Sequence, residues 1–196
     1  MKNVFDQDGA VVKYGNMVVN LFFVSILWLI TSVPLITIGA SLPAMYDTVY
    51  LAVRKEKGYV AKTYFSTFYK YFKSTFKIWL LQICVLGVLG IDLWYFRRAM
   101  IAGRTEGMFF IPMLLVSVFA VGWVLLHAYF QTDEDMSKMK VKEELVLCAG
   151  KMHWTFGIAL LFLGAGVLIY IVPVLLLIGP GALFLGFDAA LERMLI

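Results

Sequence analysis

The sequence of 196 residues is too apolar for a water-soluble domain. Hydrophobic residues make up 62% of it, charged residues only 15%, and the mean hydropathy is +0.85. Soluble domains average about 45–50% apolar and about 25% charged residues. One soluble core could not bury this much apolar surface, whereas a lipid bilayer solvates it. The net charge of +4 is therefore interpreted as a signal of membrane topology, not of nucleic-acid binding.

The first long apolar run, 16–38, predicts a membrane-spanning helix. Asn16 and Asn20 lie one turn apart on it, and because amides in hydrocarbon need partners, we expect this face to pack against another helix. Gly39 is expected to end the helix. The apolar run that follows, 42–54, is too short to span unaided, and we interpret it as a membrane-embedded or re-entrant segment shielded by protein.

Residues 59–77 predict an amphipathic helix lying flat on the cytoplasmic membrane surface. On a helical wheel, one face carries lysines and the other carries aromatic rings. The lysines are Lys62, Lys70, Lys73 and Lys77, and the aromatic face includes Phe65, Phe68, Phe72 and Phe76. This segregation predicts binding to anionic lipids, with docking of a partner protein possible on the same surface. A stacking groove for nucleic acid would mix the two residue classes, so no nucleic-acid partner is expected.

Three further long apolar runs predict three more spans. They are 78–96, 109–129 and 152–178. A Gly-Pro-Gly sequence at 179–181 then precedes a short apolar segment that contains Asp188. The sequence therefore predicts an all-α, polytopic helical membrane bundle with four long spans, two shorter membrane-embedded helices and one interfacial helix, in a single membrane domain of residues 1–196.

The two ends of the chain share a pattern of residues. Val33-Pro34, Gly39 and Asp47 are matched by Val172-Pro173, Gly179 and Asp188. In each, a long helix meets Pro, then Gly, then a short helix with one Asp. This spacing suggests a two-part internal similarity, which is frequent in membrane transport proteins.

Positive charge concentrates in two segments, 39–77 with seven Lys or Arg and 131–151 with four. Because cytoplasmic segments carry the excess of Lys and Arg, both are predicted to face the cytoplasm. Four spans place the N-terminus outside, with eleven basic residues inside against six outside. If both short helices also cross, the termini lie inside and the count is fourteen against three, which we favour on charge alone.

Four polar residues in or near the apolar runs are candidates for a polar path through the membrane: Asn20, Asp47, Asp92 and Asp188. Burying carboxylates in a membrane is costly, so such residues are commonly functional. The alternative, which we favour, is pairing at helix ends, with Arg97 or Arg98 for Asp92, Arg54 for Asp47 and Arg193 for Asp188.

Other features point away from an enzyme. His127 and His153 lack metal-ligand spacing, and each is expected at a solvated helix end. No nucleotide-binding, hydrolase or metalloprotease motif occurs, so we expect a non-catalytic protein without cofactor or metal. Cys84 is expected in the apolar packing and Cys148 in a polar loop, without a disulfide.

Several glycines lie within the predicted spans and are expected to mark close helix packing. They are Gly87, Gly90, Gly157, Gly164 and Gly166.

One part of the chain resembles a known family. The residues from Gly39-Ala40-Ser41-Leu42-Pro43-Ala44 to Val53-Arg54-Lys55, followed by the aromatic and lysine-rich stretch 65–76, resemble the YesL-like bacterial membrane proteins. The resemblance covers about 20–81 and implies an accessory role in carbohydrate uptake, with permease subunits of an ABC-type sugar importer as partners and the plasma membrane of a bacterium as location. The alternative function is a small stand-alone permease or channel for a small solute.

Overall fold

The computed structural model describes residues 10–55, 58–133, 136–172, 175, 177 and 179–186, and all regular structure in these residues is helical. The chain divides into two compact units. The first unit combines residues 1–74 with 164–196, and the second unit comprises residues 75–163.

Six helices have defined bounds. They are α1 (Ala10–Ser32), α2 (Ile38–Thr48), α3 (Val60–Ile101), α4 (Phe110–Phe130), α5 (Val141–Gly150) and α6 (Met152–Ile171). Three short 3-10 turns lie at Leu35–Thr37, Thr105–Phe109 and Met136–Lys138, and a π-helix, Val49–Arg54, extends α2. Residues 179–186 are also helical.

Five helical stretches in the described part of the chain are long and apolar enough to cross a membrane. They are Val12–Ser32, Leu35–Arg54, Val60–Ile101, Thr105–Phe130 and Met152–Ile171. The prediction of an all-α, multi-pass membrane protein is confirmed.

The first helix ends earlier than predicted. Helix α1 stops at Ser32, the chain turns at Val33-Pro34, and Gly39 lies inside α2. Proline lacks a backbone N–H and disfavours helical backbone at the residue before it, so it interrupts the helix more effectively than a glycine does. The segment after the break, Leu35–Arg54, has 20 residues and is therefore longer than predicted.

Protein shields this second segment, as expected for a membrane-embedded one. Its apolar window is 61% buried, against 17% for Val12–Ser32. Ser41 is buried inside α2, and its hydroxyl lies 2.9 Å from that of Ser32. This bond pins the start of α2 beside the end of α1.

In the first unit, residues 179–186 pack against α1 and α2. The Ser25 hydroxyl donates to the carbonyl of Leu21 (2.9 Å) and accepts the backbone N–H of Gly181 (3.0 Å). A Cβ on Gly181 would lie 2.9 Å from the carbonyl oxygen of Leu21. Only glycine allows this close approach to α1. On the same segment, the Phe184 ring packs edge-on against Tyr46 of α2, with 4.5 Å between centroids.

Residues 60–101 form one helix of 42 residues. No helix end separates the predicted interfacial stretch from the predicted span that follows it. At 1.5 Å per residue, α3 is about 63 Å long, roughly twice the thickness of the hydrocarbon core.

Within the second unit, α4 and the start of α6 approach closely at Gly122. A Cβ at this position would lie 2.4 Å from the carbonyl oxygen of Thr155. By contrast, among the residues that the structure describes, no neighbour lies within 4 Å of a Cβ added at Gly87, Gly90, Gly157, Gly164 or Gly166. The expectation that those five glycines mark close packing is wrong for all of them, and Gly122 has that role in the second unit.

Candidate functional site on the third helix

The four predicted lysines of α3, Lys62, Lys70, Lys73 and Lys77, are all exposed. They fall within about 80° of one another around the helix axis. This face therefore presents a row of positive charge along the first half of α3.

The aromatic face lies beside the lysine face. The rings of Phe65, Phe72 and Phe76 are exposed at 42%, 37% and 41%, and Phe68 is half-buried. Phe68 has Phe72 as a ring neighbour at 6.0 Å between centroids. Large exposed rings next to ammonium groups form an amphipathic surface that suits either a bilayer interface or a partner protein.

A third face of α3 was missed from the sequence. Tyr64, Tyr71 and Thr75 are buried, at 0%, 3% and 2% exposure. They fall within about 40° of one another, roughly opposite the lysines. Tyrosine occurs on both the aromatic and the buried faces, which concealed this stripe. The spacing of seven and four residues between Tyr64, Tyr71 and Thr75 was the sequence signal that they share one face of a helix.

The buried tyrosines attach α3 to the N-terminal helices of the first unit. The Tyr64 hydroxyl lies 2.5 Å from the hydroxyl of Thr31, in the last turn of α1. The Tyr71 hydroxyl donates to Oδ2 of Asp47, in α2, at 2.9 Å. Two hydrogen bonds, one to each helix, therefore fix which side of α3 faces inward and leave the lysines outward.

Asp47 belongs to a small polar cluster. Its carboxylate accepts the Tyr71 bond, and Nζ of Lys70 lies 3.4 Å from the same hydroxyl. The expected partner Arg54 instead lies over the Tyr50 ring, 5.9 Å from its centroid. The partner of Asp47 in the structure is therefore a tyrosine from α3, whereas the prediction named Arg54.

The other predicted intramembrane residues are not brought into this cluster in the described part of the chain. Asn20 is half-buried and Asn16 is exposed, so only one of the two amides faces inward. Asp92 is half-buried. Its expected partner Arg98 forms no ion pair with Asp92, and its guanidinium lies 4.2 Å from the centroid of the Trp94 ring. Asp188 lies outside the described residues.

A buried pair in the second unit was also missed. His127, at the end of α4, lies with Nδ1 2.8 Å from Oε2 of Glu144, in α5. Their side chains are 5% and 1% exposed. The expectation of a solvated helix end is wrong for His127, whereas His153 is exposed. The sequence signal was that Glu144 and Cys148 follow Val141 at intervals of three and four residues, which places a carboxylate on the inner face of α5.

Cys148 is buried in α5, not placed in a polar loop, and Cys84 is exposed, not part of the apolar packing as expected. Both cysteines are free. Burial, followed by the nearby Glu144 carboxylate, raises the pKa of the Cys148 thiol to about 12. The thiol therefore stays protonated at neutral pH, and a protonated thiol is a poor nucleophile. Within the described residues, no group of three His, Cys, Asp or Glu side chains could hold a metal ion.

Part of the chain matches a known protein family. A model of the family described as "Protein of unknown function, DUF624" matches residues 19–93. No curated protein and no solved structure matches the chain. The matched stretch includes Thr31, Asp47 and the lysine face of α3, and this part of the chain is similar to a family of unknown function.

Proposed function

We propose that this protein is a non-catalytic accessory subunit of a membrane transport assembly, of the ABC-type carbohydrate importers. The observation that carries the proposal is the exposed lysine and aromatic surface of α3, which Tyr64 and Tyr71 hold outward. A surface fixed in this way suits contact with permease subunits and with anionic headgroups. The carbohydrate class rests on the resemblance of residues 20–81 alone.

The contacts of Asp47 favour an accessory role over a stand-alone permease. A solute path needs polar side chains that face a hydrated cavity. The Asp47 carboxylate instead accepts a hydrogen bond from Tyr71, which also has Lys70 as a neighbour. In an accessory subunit this cluster is structural, because it sets the rotation of α3 about its axis.

The test of this proposal reverses the charge of three lysines that do not contact Tyr71, as K62E/K73E/K77E. Attraction of a basic residue to an anionic membrane surface is worth about 1 kcal/mol, so three reversals should remove most of the electrostatic contribution. We expect recovery of an importer permease, measured by mass spectrometry after gentle purification from native membranes, to fall to roughly a tenth of the wild-type amount.

The matched control for this experiment is K62R/K73R/K77R, which keeps the charge at the same three positions. It should retain permease recovery. Equal recovery with the glutamate variant would rule out the lysine face as the docking surface. Failure of the wild-type protein to recover any importer permease would contradict the accessory role itself.

We also infer that Leu35–Arg54 is embedded in the membrane without carrying the chain to the opposite side. A full crossing would carry the chain about 30 Å away from the end of α1. The bond between Tyr64 and Thr31 brings α3 back to the last turn of α1 within ten residues of Arg54. This contact favours four spans, with the N-terminus on the side opposite the lysines, over the topology that charge counting favours.

Topology can be measured with a single-cysteine chain. With both native cysteines replaced by serine and one cysteine introduced as Lys2→Cys, a membrane-impermeant maleimide should label intact cells. A matched chain with Lys142→Cys, in the segment predicted to be cytoplasmic, should be labelled only after the cells are opened. Protection of both positions in intact cells would contradict the four-span topology.

A further inference from the structure

The second unit contains a cleft at the end of α3 that the proposed function does not use. Its volume is about 630 Å³, and its lining includes Trp94, Tyr95, Arg98, Ile101 and Arg104. Ligand-binding pockets usually have volumes of about 300–1,000 Å³. The cleft is therefore large enough for a small polar group and part of what carries it.

The charge of this cleft favours an anion. Arg98 and Arg104 contribute two guanidinium groups, and none of the described residues that line the cleft carries a carboxylate. Within the described residues, neither arginine forms an ion pair with an acidic side chain. The guanidinium of Arg98 lies 4.2 Å above the Trp94 ring. Stacking of this kind occupies the flat face of the guanidinium and leaves its N–H edges available for phosphate oxygens.

The backbone holds the two arginines in a fixed relationship. Gly103 has a φ of +69°, and its N–H donates to the carbonyl of Met100 (3.1 Å). The N–H of Arg104 donates to the carbonyl of Ala99 (3.0 Å). This is a Schellman motif, in which a left-handed glycine closes the helix end. It also occupies carbonyl oxygens that would otherwise repel an anion near a helix C-terminus.

A close contact behind the turn supports this geometry. Gly107 lies against Met100, where an added Cβ would be 2.4 Å from Cα of that residue. The chain therefore packs back onto α3 immediately after Arg104. The cleft is built by a defined turn and not by mobile side chains alone.

The surroundings of the cleft indicate the source of the anion. Trp94 and Ile101 are exposed at 57% and 73%. The apolar stretch Val60–Ile101 ends here and the next, Thr105–Phe130, begins four residues later. Tryptophan and tyrosine at such a position are typical of the membrane–water interface, where lipid phosphates lie. A free phosphate ion would gain nothing from the apolar rim, whereas a lipid would place its chains against it.

We propose that this cleft binds the phosphate group of an anionic phospholipid. Arg98 and Arg104 hold the phosphate oxygens, and Trp94 and Ile101 contact the upper part of the acyl chains. The lysine face of α3 does not take part in this site. Lipid binding here can therefore be tested independently of the proposed accessory function.

The proposal is tested by native mass spectrometry of the full chain in detergent. The protein is titrated with phosphatidylglycerol, with phosphatidylcholine of the same acyl chains, and with inorganic phosphate. Loss of a hydrogen bond to a charged group weakens binding by about tenfold or more. We therefore expect R98Q and R104Q each to weaken the tightest phosphatidylglycerol site by about that factor.

The matched control is R97Q, because Arg97 is exposed on the same turn of α3 but does not line the cleft. It should bind phosphatidylglycerol within about twofold of wild type. The K62E/K73E/K77E chain should keep the site. R98K retains the positive charge without the planar guanidinium, so it should show an intermediate loss of phosphatidylglycerol affinity. It replaces R98Q in the experiment if R98Q does not fold.

Three results would overturn the proposal. One is an equal loss in R97Q and R98Q, which would indicate general attraction to positive charge. Another is displacement of the lipid by millimolar inorganic phosphate, which would make the site one for free phosphate. The third is equal affinity for phosphatidylcholine and phosphatidylglycerol.

Discussion

Replacing His127 with leucine should destabilise the protein by about 3–5 kcal/mol. Leucine roughly preserves the volume of the imidazole, so the main effect is on Glu144, whose carboxylate is 1% exposed and would lose its partner at 2.8 Å. An uncompensated charge in a buried position is strongly unfavourable. The measurement is the free energy of reversible unfolding in mixed micelles with increasing fractions of denaturing detergent.

Two further variants make this test specific to the pair. The double variant H127L/E144L should recover most of the loss, because a buried polar pair replaced by apolar residues of similar volume is often neutral or stabilising. The control is His153→Leu at the other histidine, which is exposed and should change stability by less than about 0.5 kcal/mol. A double variant less stable than the H127L single variant would contradict the structural account of the pair.

Replacing Gly122 with alanine should cost about 1–3 kcal/mol in the same unfolding measurement. The new Cβ would lie 2.4 Å from the carbonyl oxygen and 2.8 Å from Cγ2 of Thr155. A backbone oxygen cannot rotate away, so α4 and the start of α6 must separate. The shift would also strain the bond from the Thr155 hydroxyl to the Cys148 carbonyl, 2.9 Å long.

The control for Gly122→Ala is Gly157→Ala. Gly157 lies in α6, and none of the described residues has an atom within 4 Å of a Cβ added there. Alanine has a higher helix propensity than glycine by about 1 kcal/mol, so this variant should be as stable as wild type or more so. Equal destabilisation of both variants would mean that Gly122 does not mark a close helix contact.

The membrane class and the positions of the long helices were predictable because a bilayer requires long apolar stretches, and these are visible in any sequence. The end of α1 was misplaced because both Pro34 and Gly39 can interrupt a helix, and the choice depends on which backbone groups the neighbouring helix satisfies. The continuity of α3 was missed because its lysine-rich half and its apolar half have different compositions, although neither half contains a proline.

The candidate site was predictable only in part. The lysine and aromatic faces follow from helical periodicity, and the structure exposes them. The anchoring bonds of Tyr64 and Tyr71 join residues 33 and 24 positions apart, and His127 and Glu144 are 17 apart. Pairs of this kind depend on how helices pack, which a single sequence does not specify. Asp47 was correctly singled out as polar within an apolar segment, but its partner could not be deduced.

The bond between Ser25 and Gly181 has a consequence for biosynthesis. It joins residues 156 positions apart, and at about 5–20 residues per second the ribosome needs roughly 10–30 s to make the chain between them. The second unit, 75–163, is contiguous and is synthesised before Gly181 emerges. The first unit therefore begins to be synthesised first but is completed last. Until Gly181 is made, the surface of α1 that contacts it stays uncovered in the membrane. During that interval a nascent chain is open to capture by insertion chaperones or to degradation.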